Sequence, residues 1–461
     1  MPRSAQFLSA ALLAAFAAAP AAAQTPAAAA SVIPASDNPR ILQIVRDVSP
    51  ARMEGDVRRL AGFGTRHTLS DTVSRTRGIG AARRWIFDEF QRISRECGGC
   101  LDVEYIGEDI PGGNNPRIPR DTRVVNVVAT LRGQTDPNRH VLIMGHYDSR
   151  VTDVMNVTSD APGANDDASG TAAVIEAARV LSKHRFDGTI VFAALAGEEQ
   201  GLNGGEILTR WAKSNNWQIA GVLNNDIIGN SRGMNGATDN TVVRVFAPGI
   251  APDAPAAELR RYLYSGGELD VPARQLARYV DRIADTYVPN LDAMVVYRLD
   301  RFGRGGDHTP FFLAGYPAVR LTELYEDYTR QHQDLRTENG IRYGDVPDEV
   351  DYVYAARITS LNAASLAALA WAPAAPDSVT VRGAVTANTV LRWRPVNAPD
   401  LAGYRVYWRL PTDANWTHSR FVGNVTEATL ENIVIDNWFF GVAAVDRDGN
   451  ESLAVFPGPG R

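Results

Sequence analysis

Residues 140–149 read HVLIMGHYDS, and this stretch decides the fold class. An apolar run of strand length ends abruptly in a cluster of polar residues. Similar short runs, rich in valine and other apolar residues, recur at 123–131, 189–195 and 222–228. Helical patterns lie between the later runs, at 169–184 and 204–214. Strands that alternate with helices predict an α/β fold, with a mainly parallel mixed sheet that is flanked by helices.

The pattern extends in both directions from this centre. Residues 39–97 are predicted to be helical, because Ile79, Ala82 and Ile86 begin a series of apolar residues spaced by three and four. Further strands are predicted at 293–299 and 318–321, and a long Ala-rich helix at 346–371. Together these elements predict a first domain over residues 39–372.

The amino terminus has the pattern of a segment that is removed. Arg3 precedes an apolar run at 7–19, and a small-residue cleavage pattern ends at Ala23. This pattern is typical of a secretory signal peptide, here 1–23, and a flexible leader is expected over 24–38. The apolar run is shorter than the ~20 residues that a bilayer span needs, and no other segment is long and apolar enough. We therefore expect a secreted or periplasmic protein with no stable membrane span.

The composition of the chain indicates which class of partner it can bind and whether its cysteines are oxidised. Of the 461 residues, 45% are hydrophobic and 22% are charged, which is typical of a globular protein with two folded units at this length. The net charge of −6 argues against nucleic acid as a partner, since such partners need a basic face. Cys97 and Cys100 are predicted to form a local disulfide bond, because an exported chain meets oxidising conditions.

A second domain is predicted over residues 377–461. After Pro373 and Pro376 the apolar period becomes two, in short runs separated by turn residues, which predicts a small all-β sandwich. The tail resembles a fibronectin type III domain in Trp393, in LAGYRVYW at 401–408 and in FGVAAVD at 440–446. It departs from that family at Trp438, where a corner tyrosine is usual. The tail has no cluster of metal ligands, so we expect a spacer or a module that binds a surface, a polymer or a protein.

Residues with useful chemistry follow the apolar runs of the first domain. His146 ends one run and Asp226 follows another, while Glu198 and Glu199 follow a third. Because ligands of open parallel sheets bind beyond the carboxyl ends of the strands, these side chains are expected to meet at one edge. Carboxylates gathered there repel one another, and cations would relieve the repulsion. Imidazole and carboxylate ligands suit zinc, and also manganese or cobalt. Taken singly, each motif equally fits a solvated turn or a helix cap.

Together the motifs resemble the M28 metallopeptidases, which include secreted bacterial zinc aminopeptidases. The resemblance covers roughly residues 40–370. It rests on five ordered motifs: HxD at 146–148, NDDxSG at 165–170, GEExG at 197–201, ND at 225–226 and GDHxPF at 306–311. Each motif is weak alone, whereas all five in this order are highly specific.

The resemblance implies two zinc ions that share a ligand. Asp166 would bridge them. His146 and Asp226 would complete one site, and Glu199 and His308 would complete the other. Each ion then has three protein ligands, which leaves room for a water between the ions, and cobalt or manganese are expected substitutes.

The resemblance also assigns two residues to catalysis on peptide substrates. Glu198 would be the general base that takes the proton of the attacking, metal-bound water, and Asp148 would orient His146. The peptide bond between Asp166 and Asp167 is expected to be cis.

Several functions remain open at this point. The leading hypothesis is an aminopeptidase that hydrolyses the N-terminal peptide bond, and residues 231–290 are expected to wall its pocket. A carboxypeptidase or a dipeptidase of the same family is the alternative. A one-zinc glutaminyl cyclase, or an inactive binding ectodomain with a peptidase fold, fits less well because Glu198 and five ligands are present. His332, in QHQD at 331–334, fits either the periphery of the site or an ordinary loop, and His67 fits a structural or surface position.

Overall fold

The computed structural model describes residues 37–459. The predicted signal peptide, and the predicted leader up to residue 36, lie outside this range. The first helix begins at Pro39, and the buried Asn38 caps it by accepting a hydrogen bond from the amide of Arg40. Between residues 37 and 459, no helix combines the length and the apolar character that crossing a bilayer requires.

The elements alternate as the sequence indicates. The helices are α1 (Pro39–Asp47), α2 (Pro50–Ala61), α3 (Ile79–Glu96), α4 (Ala168–Leu181), α5 (Asn203–Ser214), α6 (Ala256–Ser265), α7 (Pro272–Tyr287), α8 (His308–Leu313) and α9 (Tyr352–Trp371). The strands of the first domain are β1 (Leu101–Ile110), β2 (Thr122–Leu131), β3 (Asp136–His146), β4 (Gly188–Leu195), β5 (Gln218–Asn225), β6 (Val242–Phe246), β7 (Asp292–Val296), β8 (Ala318–Glu323), β9 (Arg336–Glu338) and β10 (Ile341–Tyr343). Those beyond α9 are β11 (Thr380–Arg382), β12 (Thr389–Arg392), β13 (Leu401–Arg409), β14 (His418–Gly423), β15 (Glu427–Leu430), β16 (Phe439–Asp446) and β17 (Gly458–Pro459).

The main sheet has eight strands in the order β1-β2-β4-β3-β5-β8-β6-β7. Its centre, β4-β3-β5-β8, is parallel. The pairs β1–β2, β2–β4 and β8–β6 are antiparallel. Because β7 is parallel to β6, it runs opposite to the central strands. The predicted mainly parallel mixed sheet flanked by helices is therefore confirmed, with β2, β6 and β7 running opposite to the central strands.

The central strands are buried on both faces, as parallel strands require. All eight residues of β4 are buried. Helices α4 and α9 pack on each other and on β3 and β4, while α5 and α8 pack together against other strands. Of the twenty residues of α9, only Tyr352, Val353 and Arg357 are not fully buried, as expected for a helix that is apolar on every side. The helix predicted at 346–371 thus closes the domain, although it begins only at Tyr352.

Beyond α9 the chain forms a second core between two small sheets. The sheets have the strand orders β15-β12-β11-β17 and β14-β13-β16. Apolar residues from both sheets fill the space between them, among them Leu391, Trp393, Tyr404, Val406, Leu430, Phe440 and Val442. The predicted small all-β sandwich is confirmed, whereas its resemblance to fibronectin type III stays a prediction. The expected disulfide bond between Cys97 and Cys100 is also present, directly after α3.

The helical half of the segment 231–290 supports this sandwich. Arg278 on α7 donates a hydrogen bond to the carbonyl oxygen of Ala414 at 2.6 Å. Asp270 binds Arg278 at 2.9 Å and Arg409 of β13 at 2.7 Å, and the three side chains are at most 3% exposed. The residues around α7 therefore face the sandwich, while the expectation that 231–290 walls a substrate pocket stays a prediction for the rest of the segment.

Loss of Asp270 is expected to destabilise the contact between α7 and the sandwich. Asp270→Ala leaves two buried guanidinium groups without their carboxylate, and breaking a buried pair costs about 3–5 kcal/mol. We expect the free energy of unfolding, measured in urea, to fall by that amount. Glu427→Ala is the control, because its pair with Arg392 is about half exposed and exposed pairs contribute about 0–1 kcal/mol. Equal losses in the two variants would contradict a structural role for the Asp270 pairs.

Candidate metal centre

The parallel strands deliver polar side chains to one edge of the sheet. His146 is the last residue of β3, and Glu199 follows β4. Asp226 follows β5, and the loop after β8 carries His332. Asp166 reaches the same edge from the loop before α4. The carboxyl ends of parallel strands lie side by side, and therefore these five residues can approach one another.

The first group consists of His146, Asp166 and Asp226. His146 Nε2 lies 3.3 Å from Asp166 Oδ1 and 4.0 Å from Asp226 Oδ1. One ligand atom from each residue lies within 4.8 Å of the other two, and all three residues are buried. Three converging donors are the number that a catalytic zinc site usually takes from the protein.

The second group consists of Asp166, Glu199 and His332. His332 Nε2 lies 2.9 Å from Asp166 Oδ2 and 2.9 Å from Glu199 Oε1. Asp166 thus presents Oδ1 to the first group and Oδ2 to the second. This is the arrangement expected of a carboxylate that bridges two ions.

The structure does not bring His308 into either group. His308 is fully buried at the start of α8, and its Nε2 donates a hydrogen bond to the carbonyl oxygen of Leu299 at 2.8 Å. Its neighbour Asp307 lies close enough to His146, Asp148 and Asp226 to interact with their charges, but the His308 ring faces the backbone of Leu299 instead. The ligand position that the family resemblance assigns to His308 is therefore taken by His332. The available signal was the apolar run at 318–321, because His332 lies in the loop that follows it.

Asp148 connects the first group to the turn that carries Glu198 and Glu199. Its Oδ1 lies 3.5 Å from His146 Nδ1. Its carboxylate accepts hydrogen bonds from the amides of Glu198 at 3.3 Å and Glu199 at 3.2 Å, and from the hydroxyl of Thr68 at 3.1 Å. Asp148 therefore lies where a residue that orients His146 must lie, and it also fixes the Glu198 backbone. The bond between Asp166 and Asp167 is cis, as the resemblance implies.

An arginine contacts one carboxylate of each group. The fully buried Arg320 lies 2.8 Å from Asp226 Oδ1. Arg150 donates to Glu199 Oε2 at 2.8 Å, and its Nη2 lies 2.6 Å from His332 Nδ1. Sequence reasoning missed both arginines, because each is a single residue without a recognisable motif.

The two groups concentrate negative charge in a buried space. Burial raises the pKa of Glu198 well above its ordinary value, and neighbouring carboxylates add to the effect. Burial acts in the same direction on Asp166, but His332 and His146 hold the pKa of Asp166 well below its ordinary value. Cations at the two groups would reduce the repulsion among these carboxylates.

The donor atoms of the two groups fit two metal ions, but the two histidines differ in the partner of their Nδ1 atom. Glu199 Oε1 is buried and accepts no hydrogen bond from residues 37–459, although His332 Nε2 is 2.9 Å away, and a cation between these atoms would satisfy both. His146 Nδ1 faces two oxygens of Asp148, so it carries the hydrogen and leaves Nε2 free for a metal. His332 Nδ1 instead faces Arg150, which can donate a hydrogen bond but cannot accept one. Nδ1 must therefore act as the acceptor, and the hydrogen of the neutral ring then lies on Nε2. Arg150 must leave Nδ1, so that the hydrogen can move there, before Nε2 can bind a metal.

The arrangement at this edge agrees with a known family. The model of peptidase family M28 matches residues 126–368, more than half of the chain. This chain belongs to peptidase family M28. All five residues of the two groups lie inside the matched stretch, and the family expected from the five motifs is confirmed.

Fungal proteins resemble this M28 chain over most of its length. A probable zinc metalloprotease of Leptosphaeria maculans is 47% identical over 421 residues, which cover 91% of this chain and 97% of the relative. A probable zinc metalloprotease of Pyrenophora tritici-repentis is 44% identical over 93% of this chain and 89% of the relative.

Solved structures share the fold of the M28 chain at low identity. The LapA aminopeptidase of Legionella pneumophila superimposes with a TM-score of 0.52 and 17% identity, over 74% of this chain and 77% of that one. A zinc aminopeptidase from Bacillus subtilis gives a TM-score of 0.50 and 13% identity, over 69% and 94%. These likenesses show the zinc aminopeptidase fold.

Proposed function

We propose that this M28 peptidase is a secreted two-zinc aminopeptidase that removes residues from the amino terminus of peptides. The observation that carries the proposal is Asp166, whose two carboxylate oxygens face different groups of ligands. The description of the fungal relatives as probable zinc metalloproteases supports zinc as the metal. Export is supported by the amino-terminal pattern at 1–23.

The two groups divide the ligands between two ions. His146 and Asp226 would hold one zinc together with Asp166, and Glu199 and His332 would hold the other. When bound, two zinc ions would polarise the carbonyl of the cleaved bond and make the attacking water more acidic. Asp148 keeps His146 oriented towards its ion through Nδ1.

Glu198 is the residue that moves the proton in this proposal. Its carboxylate takes the proton of the attacking water and passes it to the leaving amine. Glu198 belongs to neither metal-binding group, and its backbone amide is fixed by Asp148. Burial raises the pKa of Glu198, and the charges of two bound zinc ions would act in the opposite direction.

Charge favours an amino-terminal over a carboxyl-terminal specificity. Arg150 and Arg320 contact the two groups, but both are engaged by ligand carboxylates and are not free to bind the carboxylate of a substrate. Asp307, which belongs to neither group, adds a further carboxyl group near His146 and Asp226 and would favour a protonated amine there. The LapA and Bacillus subtilis proteins that share the fold are aminopeptidases.

The specificity is tested with an aminoacyl p-nitroanilide and its N-acetyl form. We expect the free amine to be hydrolysed and kcat/KM for the blocked form to be at least ~10²-fold lower, because the site recognises the amine. Hydrolysis of N-blocked peptides with a free carboxyl terminus would instead support the carboxypeptidase alternative.

Metal content tests the two-zinc centre separately. We expect close to two zinc ions per folded chain, loss of activity with a chelator, and recovery with zinc or cobalt, since both metals suit these ligands. A fully active sample with a single ion per chain would contradict the proposal.

A further inference from the structure

A cleft of about 770 Å³ lies between α3, the strands β1 and β2, and the loop 68–72. Its charged lining is strongly one-sided: Arg83, Arg84, Arg120 and Arg123 face a single aspartate among the described residues, Asp121. The chain as a whole carries a net charge of −6, so this basic cleft is a local exception. A cavity lined by one sign of charge attracts ligands of the opposite sign.

Two of these arginines keep free hydrogen-bond donors. Arg83 makes no hydrogen bond or ion pair with any residue between 37 and 459. Arg120 donates only one hydrogen bond in the same range, to the carbonyl oxygen of Leu69 at 3.0 Å. In contrast, Arg84 donates to carbonyl groups of the loop 72–74, and Arg123 pairs with Asp109 at 3.0 Å. The free guanidinium groups are suited to planar, two-point binding of a carboxylate.

The cleft is joined to the metal centre by short connections. Thr68 lines the cleft and donates a hydrogen bond to Asp148 at 3.1 Å. The loop between β1 and β2 carries Arg120 into the cleft, and its Arg117 donates to the carbonyl oxygen of Glu199 at 2.8 Å. The loop therefore touches a proposed metal ligand and also lines the cleft, which makes the cleft a direct neighbour of the centre.

We propose that this cleft binds a carboxylate of the peptide substrate beyond the cleaved bond, with Arg83 and Arg120 as its ligands. The inference rests on the proposed function and gives it a substrate class: peptides with an acidic side chain, or the free carboxyl terminus, a few residues after the amino terminus.

The test measures kcat/KM for sets of short peptides. Each set holds a neutral peptide amide, versions with Asp or Asn at the second, third or fourth position, and a version with a free carboxyl terminus. We expect at least one carboxylate to raise kcat/KM about tenfold over its neutral partner, since hydrogen bonds between charged groups are about twice as strong as neutral ones. We also expect this ratio to fall towards one in 0.5 M salt and in the double variant Arg83→Gln/Arg120→Gln.

The control is Arg95→Gln, which removes an exposed arginine at the other end of α3, about 18 Å away along the helix, and should keep the ratio. Using a ratio within each variant removes any general change in activity. An equal ratio in the double variant and the wild type, or no preference at any position, would overturn the cleft assignment. Hydrolysis of the neutral peptide amide tests the aminopeptidase function by itself. Failure of the proposed function can therefore be distinguished from failure of the cleft assignment.

Discussion

Replacing Glu198 with glutamine is expected to lower kcat by ~10²–10⁴-fold, the usual contribution of a general base, while both zinc ions stay bound. Glutamine keeps the shape of the side chain but cannot take the proton of the attacking water. Glu198 belongs to neither metal-binding group, so the metal content should not change. KM should change little, because the lost interaction is needed only during proton transfer.

The neighbouring residue provides the matched control. Glu199→Gln alters a side chain of the second group, whose Oε1 lies 2.9 Å from His332 Nε2. We expect this variant to lose zinc before it loses the ability to move protons, so that added metal partly restores activity. Metal analysis and single-turnover kinetics of the two variants separate the roles. Loss of zinc in Glu198→Gln, together with activity after metal is restored, would exchange the two assignments.

Much of the centre could be predicted because parallel strands impose it. His146 and Asp226 come directly after strands of the parallel centre, so their order along the chain predicts their meeting in space. Which side chain of a motif faces the centre has no such local signal. In the motif at 306–311, Asp307 lies near His146 and Asp226, whereas the ring of His308 binds the backbone carbonyl of Leu299.

Ion pairs between residues that are far apart along the chain could not be predicted from the sequence. Arg320 is a charged residue within the short buried strand β8, and only the fold shows that its guanidinium reaches Asp226. Asp270 and Arg409 are 139 positions apart and belong to different predicted domains, yet they form a fully buried pair. Periodicity describes which face of an element is buried. It does not describe which element covers that face, and this is why the contact of α7 with the sandwich could not be predicted.

Removal of His332 is expected to empty the second group and leave the first one filled. His332→Ala leaves Asp166 and Glu199 as two carboxylates without an imidazole, which is fewer donors than zinc usually takes from a protein. Metal analysis should find close to one zinc ion per chain. The kcat/KM for an aminoacyl p-nitroanilide should fall by about 10²–10⁴-fold, since a metal ion contributes several kcal/mol to stabilising the transition state.

His308→Gln is the matched control, because it removes a buried histidine that the family resemblance marks as a ligand. Glutamine can still donate a hydrogen bond towards the carbonyl oxygen of Leu299, so the fold around α8 should survive with a modest loss in Tm. Both zinc ions should remain, since His308 lies in neither group. If His308→Gln lost one zinc ion while His332→Ala kept two, His308 would be the ligand and the loop after β8 would only border the site. Metal content decides between the two histidines even if both variants lose activity, because a buried residue can lower activity through the fold alone.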